Sequence, residues 1–182
     1  MIDPAVAGRI RLLGLDVDGV LTDNAVFLGL VAGQRVEFKR FDIQDGLGIG
    51  LARRLGMVVA LVSGRYSDAT TLRATELKID EVIQDKEARK VPAMTEMLMR
   101  RGIGWDEVAF VGDDLADLPV LRRVGLPIAV ANAVAEVKEL AAYTTTARGG
   151  SGAVREVIEI LFRAQGRWDE AVRIYLGDRG ER

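Results

Sequence analysis

Six aspartates in two short clusters are the residues of this sequence best suited to chemistry. Each cluster follows an apolar run typical of a buried strand: Asp16, Asp18 and Asp23 follow residues 11–15, and Asp113, Asp114 and Asp117 follow residues 108–112. A buried carboxylate without a cationic partner is so unfavourable that it would sooner take up a proton. If both strands deliver their acids to one sheet edge, we expect a divalent cation between them, and Mg²⁺ suits such oxygen ligands best.

Two other interpretations of the first cluster can be compared with the sequence. The stretch DVDGVLTDN is superficially like a calcium-binding EF-hand loop, but its glycine is fourth instead of sixth, and Phe27 stands where a glutamate is required. Aspartates that only close a turn or cap a helix would account for either cluster alone. Because two clusters fall at one sheet edge, the metal site is the better explanation.

The composition limits the available chemistry. The chain has no cysteine and no histidine, which excludes disulfides, thiol nucleophiles, thiolate ligands and imidazole catalysis. Its 182 residues with 49% hydrophobic content suit a single domain, 1–182, and its net charge of −2 with interspersed signs indicates a small-molecule partner, not nucleic acid or membrane. The sequence shows neither a signal-peptide pattern nor an apolar run near the roughly 18 residues of a membrane span, so we expect a cytoplasmic protein.

Apolar runs alternate with segments of helical period, which is the pattern of an α/β protein with a Rossmann-like, mostly parallel sheet. The near-continuous apolar strands predict helices on both faces of that sheet. Ligands bind such sheets beyond the carboxyl ends of the strands, where both aspartate clusters fall. Strands are expected at residues 10–17, 57–63, 81–84, 107–112 and 127–131, and helices at residues 45–56, 67–77, 91–102, 114–125 and 133–141.

Residues 25–41 interrupt this alternation. Two short strands around a glycine-containing turn at residues 31–34 predict a β-hairpin that projects over the same sheet edge. One face of the hairpin is expected to expose Val26, Leu28, Val36 and Phe38. Two arrangements would cover this apolar face: the hairpin packs back on its own domain, or it pairs with further copies in a homo-oligomer.

Two further strand ends carry groups that suit a phosphate. Ser63 and Gly64 in VSGR offer a hydroxyl and backbone N–H groups at a glycine-opened turn. Lys86 and Lys90 follow the next strand, and Pro92 predicts a helix that begins near it, which puts Lys90 at the strand-to-helix rim. Either lysine alone would be better explained as a solvated surface residue, and the choice between them stays open.

Four motifs in sequence order, DVDGVLTD, VSGR, a lysine before a helix, and VGDDLAD, resemble those of the haloacid dehalogenase superfamily of phosphohydrolases. The resemblance is closer to one branch without a cap domain, the 3-deoxy-D-manno-octulosonate 8-phosphate phosphatases. It extends to the hairpin, to DGLGI and GGSGAVRE, and to AQGRWDEA at the start of the C-terminal tail, about residues 166–182. It covers residues 10 to about 175, so it implies the fold of that branch for nearly the whole chain.

This resemblance implies a role for each matching aspartate. Asp16 would be the nucleophile that becomes an aspartyl phosphate, and Asp18 would protonate the leaving sugar oxygen and then activate the water. Mg²⁺ would be held by Asp16, the main-chain carbonyl of Asp18, and Asp113. Two further aspartates would support these ligands, namely Asp114 and Asp117.

The resemblance also implies the phosphate contacts and the assembly. Ser63, with Gly64 beside it, and Lys90 would bind the transferring phosphoryl group. The hairpins would associate into a homotetramer in which a neighbouring subunit helps to cover the active site. The branch implies a place in lipopolysaccharide biosynthesis.

Three positions bear on the substrate. Arg65 could recognise the carboxylate of an acidic sugar through two parallel hydrogen bonds, as the resemblance supports, or it could pair with a nearby aspartate at the surface. Gln44 stands where the branch commonly has a basic residue, which leaves the sugar open. Arg148 in ARGGSGAVRE could lie near the entrance, or this segment simply begins the last helix.

The sequence thus predicts a Mg²⁺-dependent phosphatase for an acidic sugar phosphate, first of all 3-deoxy-D-manno-octulosonate 8-phosphate. A nonulosonate 9-phosphate is the alternative substrate. A non-catalytic oligomerisation module would not need the complete set of aspartates with Lys90. A phospho-accepting receiver domain would need neither the hairpin nor an acid two residues after the acceptor.

Overall fold

A parallel β-sheet is the central element of the computed structural model, which describes residues 2–87 and 89–180. The strands are β1 (Leu12–Leu15), β2 (Phe27–Val31), β3 (Gln34–Phe38), β4 (Val58–Ser63), β5 (Glu81–Gln84), β6 (Val108–Gly112), β7 (Leu126–Ala129) and β8 (Tyr143–Thr144). Six of them form the sheet in the order β5-β4-β1-β6-β7-β8, and all of its neighbours are parallel. Strands β2 and β3 form a separate antiparallel hairpin.

The helices cover both faces of the sheet, as the apolar strands predict. They are α1 (Pro4–Ala7), α2 (Ile43–Arg54), α3 (Asp68–Glu76), α4 (Lys90–Arg101), α5 (Leu118–Leu121), α6 (Ala135–Leu140), α7 (Ala153–Ala164) and α8 (Trp168–Gly177). Helices α1, α2, α7 and α8 contact one another on one face, and α4, α5 and α6 do so on the other. This architecture confirms the predicted fold class, and the described residues contain no cap domain.

The middle of the sheet fixes where the aspartates lie. Strand β1 runs between β4 and β6, and nearly every residue of these three strands is buried. Gly14 faces the Phe110 ring so closely that a Cβ atom there would lie 2.6 Å from it, so only glycine lets these strands pack in this register. The carboxyl ends of β1, β4 and β6 are therefore adjacent, and each continues directly into a predicted site motif.

Local differences from the predicted elements have physical causes. The helix predicted at residues 114–125 is a single 3₁₀ turn, Leu115–Asp117, followed by the one-turn helix α5. Helix α4 begins at Lys90, two residues before the expected start near Pro92, because a proline in the first helical turn removes no intrahelical hydrogen bond. Strand β8 and helix α1 are too short to leave a periodic signal.

The hairpin has the predicted glycine-containing turn, which consists of two residues, and hydrogen bonds attach its base to the domain. Ala32 and Gly33 both have positive φ angles, which suit a tight hairpin connection. At the base, Arg40 donates to Asp23 Oδ2 at 2.9 Å and to the Gly150 carbonyl at 2.7 Å. Asp23, the least expected member of the first cluster, therefore anchors the hairpin and is not part of the buried site.

The register corrects the predicted apolar face. Phe27 pairs with Phe38 and Leu28 pairs with Glu37, so Leu28 lies on the opposite face from Phe38, contrary to the expected set. Because side chains alternate strictly along each strand, the start of β2 at Phe27 fixes which of its residues share a face with Phe38. Both faces expose large apolar groups, and the exposed fractions are Phe27 58%, Leu28 60%, Leu30 75%, Val31 60% and Phe38 61%.

The C-terminal tail forms helix α8, which packs against α2 and α7. Trp168 is buried at its start, with Arg155 and Arg163 near its ring at 5.1 and 5.5 Å. No helix within the two described ranges is both long enough and apolar enough to cross a membrane.

Candidate active site

The loop after β1 carries the first two predicted site residues, Asp16 and Asp18. Asp16 N donates to the Val111 carbonyl at 3.0 Å, which continues the sheet register and holds Asp16 beside β6. The next residues, Val17–Leu21, coil tightly, with Gly19 at φ +95°. A side chain at Gly19 would overlap the Asp113 carboxylate, so both the backbone angle and the close approach require glycine here.

Three buried carboxylates and one buried lysine form the centre of the site. Carboxylate oxygens of Asp16, Asp113 and Asp117 lie within 4.8 Å of one another. Lys90 Nζ donates to Asp16 Oδ1 at 2.5 Å and to Asp117 Oδ1 at 2.6 Å. Lys90 is only 3% exposed, so it is not the solvated surface residue of the alternative interpretation.

Burial and mutual repulsion dominate the electrostatics of this cluster. Burial, with the Asp117 charge, raises the pKa of Asp16 to about 7 although Lys90 opposes the shift. Burial and then Asp16, Asp117 and Asp114 raise the pKa of Asp113 to about 8. Burial works against the charge of Lys90, but Asp16 and Asp117 raise the pKa of Lys90 above its usual value. One lysine therefore does not balance three carboxylates.

Asp117 organises its neighbours. Its Oδ1 accepts from Lys90, and its Oδ2 accepts from the backbone N–H groups of Asp113 at 2.9 Å and Asp114 at 3.3 Å. Both of its oxygens are committed to protein donors, which fits the supporting role that the resemblance implies. Asp114 is exposed, and its Oδ1 accepts from Leu115 N at 2.7 Å at the start of the 3₁₀ turn, so it lies at the edge of the cluster.

The free oxygens of this cluster fit a hard divalent cation. Asp113 makes no side-chain hydrogen bond among the described residues, and Asp16 uses only Oδ1, so each has a carboxylate oxygen left. The raised pKa values of Asp16 and Asp113 mark a position where a positive charge would relieve repulsion. An all-oxygen set at a solvent-facing sheet edge is typical of Mg²⁺.

Asp18 lies apart from this cluster and contacts different cations. Lys39 Nζ is 2.7 Å from Asp18 Oδ1, and Arg65 Nε is 3.5 Å from Asp18 Oδ2. Arg65 also donates two parallel hydrogen bonds to Glu37 of the hairpin, at 2.8 and 2.9 Å. Arg65 is thus neither free nor paired only with an aspartate, because it joins Asp18 to β3.

Ser63 ends β4 directly beside β1. Its hydroxyl is buried and makes a local turn, donating to the Arg65 carbonyl at 3.0 Å and accepting from Arg65 N at 3.1 Å. Gly64 is half-buried between them. The geometry keeps the Ser63 and Gly64 turn at the same sheet edge as Asp16, where an anion would meet its backbone.

The remaining predicted positions lie outside this centre. Lys86 is exposed, with its ammonium 5.7 Å from the Tyr66 ring, so Lys90 is the lysine of the site. Gln44 is exposed in the first turn of α2. Arg148 is exposed as well, and the glycines after it pack tightly on the loop that follows β1. The GGSG segment therefore both supports that loop and begins α7.

Sequence reasoning missed four polar residues that shape the site. Asn132 donates to the Gly19 carbonyl at 3.0 Å and accepts from Gly149 N at 2.7 Å, so it joins the two loops. Asp45 is fully buried and accepts from Arg155 N at 2.8 Å at the start of α7, where burial raises its pKa to about 6. Lys39 and Glu37 come from the hairpin. Only the EFK alternation hinted that polar side chains on one hairpin face point inward.

The raised pKa values predict a pH dependence for the metal-free protein. Because their pKa values are raised, Asp16 and Asp113 bind protons more tightly in the folded chain than in the unfolded chain. The stability that their protonated forms contribute is therefore lost as the pH rises toward about 7 and 8. We expect the free energy of unfolding in EDTA to fall between about pH 5.5 and 8.5 by a few kcal/mol, since one pKa unit corresponds to about 1.4 kcal/mol. Urea titrations measure this.

An Asp113→Asn variant is the control for that prediction. It removes the carboxylate whose pKa is raised furthest, so the stability of the variant in EDTA should change less over the same pH interval. A wild-type protein that is equally stable at both pH values would contradict the assignment of repulsion to this cluster.

Comparisons with known proteins agree with this geometry. The family model of haloacid dehalogenase-like hydrolases matches residues 59–158. The 3-deoxy-D-manno-octulosonate 8-phosphate phosphatase KdsC of Escherichia coli K12 is 42% identical over 167 residues, 92% of this chain and 87% of that protein. The corresponding phosphatase of Moraxella catarrhalis, solved with magnesium, phosphate and KDO, has a TM-score of 0.87 at 35% identity and covers 94% of this chain and 97% of its own.

A cobalt-bound deoxy-D-mannose-octulosonate 8-phosphate phosphatase of Haemophilus influenzae is also similar. It has a TM-score of 0.82 at 32% identity and covers 90% of this chain and 93% of its own. The similarities to these three phosphatases extend over most of the length of each protein. The chain therefore belongs to the haloacid dehalogenase-like hydrolases, in the branch that contains the 3-deoxy-D-manno-octulosonate 8-phosphate phosphatases.

Proposed function

We propose that this protein is a Mg²⁺-dependent phosphatase that hydrolyses the phosphate monoester of 3-deoxy-D-manno-octulosonate 8-phosphate. The observation that carries the proposal is the buried set of Asp16, Asp113, Asp117 and Lys90 in a chain of this family. A non-catalytic scaffold has no reason to keep such a repulsive cluster buried. We further propose a cytoplasmic location and a single domain over residues 1–182.

Asp16 is the proposed nucleophile. One oxygen of its carboxylate would attack phosphorus, form the aspartyl phosphate and displace the sugar oxygen, while the other would stay available to Lys90 and Mg²⁺. Asp18 would give its proton to that leaving oxygen, so the sugar departs as an alcohol. Ser63, the Gly64 backbone and Lys90 would contact the phosphoryl oxygens, and Lys90 would neutralise part of their charge.

The second displacement restores the enzyme. Asp18, now a carboxylate, would take a proton from water as the water oxygen attacks the phosphorus of the aspartyl phosphate. The bond from phosphorus to Asp16 breaks, which releases inorganic phosphate, regenerates the Asp16 carboxylate and leaves the proton on Asp18. Asp16, Asp113 and the main-chain carbonyl of Asp18 would hold Mg²⁺, whose charge offsets the repulsion between a carboxylate and a phosphate dianion.

Arg65 is the proposed recognition group for the sugar carboxylate. It stands two residues after the phosphate-binding Ser63, and 39% of its side chain is exposed. Arg65 already donates two parallel hydrogen bonds to the Glu37 carboxylate. A substrate carboxylate would accept hydrogen bonds of the same geometry, in place of Glu37 or beside it. Gln44 removes a charge that relatives of this branch commonly carry, so a nonulosonate 9-phosphate remains the competing substrate.

Replacing the nucleophile tests the chemistry. Asp16→Asn should lower kcat for a generic phosphate ester by roughly 10³-fold or more, because no other group can form the covalent intermediate. Phosphate release with Mg²⁺ present measures this, and Asp106→Asn, a surface aspartate far from the site, is the matched control. Substantial hydrolysis by Asp16→Asn would overturn the mechanism.

Replacing Arg65 tests the substrate class. Arg65→Ala should raise KM for 3-deoxy-D-manno-octulosonate 8-phosphate by about 10–100-fold, because the loss of hydrogen bonds between charged groups usually weakens binding by such a factor. The KM for a neutral sugar phosphate should change by less than about threefold. Gln44→Arg should favour the eight-carbon acid over a nonulosonate 9-phosphate. Equal losses on acidic and neutral sugar phosphates would show that Arg65 does not read the carboxylate.

We propose a homotetramer assembled through the hairpin. The support is the exposed apolar surface of β2 and β3, together with an open groove of about 810 Å³ between β3 and α3 whose lining includes Val36, Phe38 and Leu72. Such a surface is larger than an isolated hairpin normally shows to water. A neighbouring subunit seated there would also approach Arg65.

A charge on the hairpin tests the assembly. Phe38→Asp should convert the oligomer to smaller species, because a carboxylate in an apolar interface cannot be desolvated without a partner. Sedimentation at micromolar concentration measures this, and Met99→Asp, at an exposed position of α4 outside the groove, is the control that should sediment like wild type. Identical sedimentation of wild type and Phe38→Asp as monomers would refute the proposal.

A further inference from the structure

We infer that Lys39 is a positioning residue for Asp18, so that the hairpin contributes to proton transfer as well as to assembly. This inference rests on the proposed function, because it assigns a task to the residue that holds the proposed acid and base. Lys39 lies directly after β3, and nothing in its sequence context distinguishes it from the surrounding charged residues.

The side chain of Lys39 is completely buried, with an exposed fraction of 0%. Its ammonium lies 2.7 Å from Asp18 Oδ1, 3.8 Å from Glu37 Oε1 and 3.3 Å from Thr70 Oγ1, to which it donates a hydrogen bond. A lysine is almost never fully buried unless it is paired. The burial of Lys39 therefore depends on the charge that it faces.

Asp18 is the main partner of that charge. Glu37 is already bound by two hydrogen bonds from Arg65 and by one from the Ser67 hydroxyl at 2.7 Å. Asp18 Oδ1 is itself buried and accepts no aligned hydrogen bond among the described residues, so the ion pair with Lys39 is its compensation. Removing Lys39 would leave the buried Asp18 Oδ1 without a compensating positive charge.

This arrangement distinguishes the two oxygens of Asp18. Lys39 fixes Oδ1 inside the protein, whereas Oδ2 lies toward Arg65 at 3.5 Å. Besides Lys39, the described residues offer the Asp18 carboxylate only the 3.5 Å contact of Arg65 Nε, so these two cations determine the orientation of the side chain. Lys39 thus directs Oδ2 to the side where substrate would bind, which is the orientation that proton transfer requires.

A purely structural role predicts a different result from a positioning role. If Lys39 only docks the hairpin, its loss should alter stability and substrate binding, with the same effect whatever residue stands at 18. If Lys39 acts through Asp18, its loss should lower kcat and the effect should vanish once Asp18 cannot carry a proton.

The first experiment compares Lys39→Met and Lys39→Arg with wild type in Mg²⁺. Lys39→Met should lower kcat about 100-fold, the cost of a misplaced catalytic group, and change KM by less than about threefold. Lys39→Arg keeps the positive charge, so its kcat should be at least about tenfold higher than that of Lys39→Met. With p-nitrophenyl phosphate, whose leaving group needs no proton, Lys39→Met should show a burst of nitrophenolate, because water attack becomes rate-limiting.

The second experiment repeats Lys39→Met in an Asp18→Asn background. There the lysine substitution should change the residual kcat by less than about threefold. Arg53→Met, which breaks a partly buried pair with Asp80 at 3.0 Å far from the site, is the matched control and should leave kcat unchanged. Thr70→Val, which removes the hydrogen bond to Lys39, serves in the same cycle if Lys39→Met does not fold, with a severalfold loss expected.

The outcomes separate this inference from the proposed function. Wild type that hydrolyses no phosphate ester overturns the proposed function and the inference with it. An active wild type with either of two results overturns the inference alone. The first is a folded Lys39→Met variant, or Thr70→Val in its place, that keeps the wild-type kcat. The second is a loss of kcat on Lys39→Met substitution that is equally large with Asp18 present and in the Asp18→Asn background.

Discussion

The site depends on one buried ammonium group among three buried carboxylates. Lys90 bridges Asp16 and Asp117, yet the cluster keeps a net charge of −2 when all three aspartates are ionised. A site of this kind is stable only if protons or a divalent cation supply the missing charge. The same excess of negative charge that makes the cluster unfavourable without cations favours a divalent cation such as Mg²⁺, and a phosphate dianion is repelled until that charge is neutralised.

Close backbone packing keeps these groups in place. Strand β1 delivers Asp16 between β4 and β6, and the glycines at positions 14 and 19 permit approaches that any side chain would block. Gly149 packs on the Gly19 carbonyl in the same way, and Asn132 hydrogen-bonds both loops. The GGSG segment near the C-terminus is therefore part of the support for the loop after β1. This contact explains why a motif about 130 residues from Asp16 in the chain belongs with it.

The sequence predicts the fold class, the sheet edge that carries the site and the ionisable groups there, because each has a local signal. Apolar runs mark β1, β4 and β6, and Asp16 and Asp113 follow two of them directly. The choice between Lys86 and Lys90 needed the structure, since burial of a lysine is decided by distant carboxylates. The hairpin register, and with it the face of Leu28, also needed the structure because the start of β2 fixes the alternation and no local signal marks that start.

The hairpin takes part both in the proposed assembly and in the proposed active site. Phe27, Val36 and Phe38 share one face and supply part of the apolar surface proposed for assembly. Glu37 and Lys39 lie on the other face of β3, where they contact Arg65 and Asp18. Because period-two alternation ties the inner and outer residues of β3 to one rigid ladder, a partner that seats on the outer face also restrains the inner one. Assembly and proton transfer would then share a single element, and the position of Asp18 would be most sharply defined in the assembled protein.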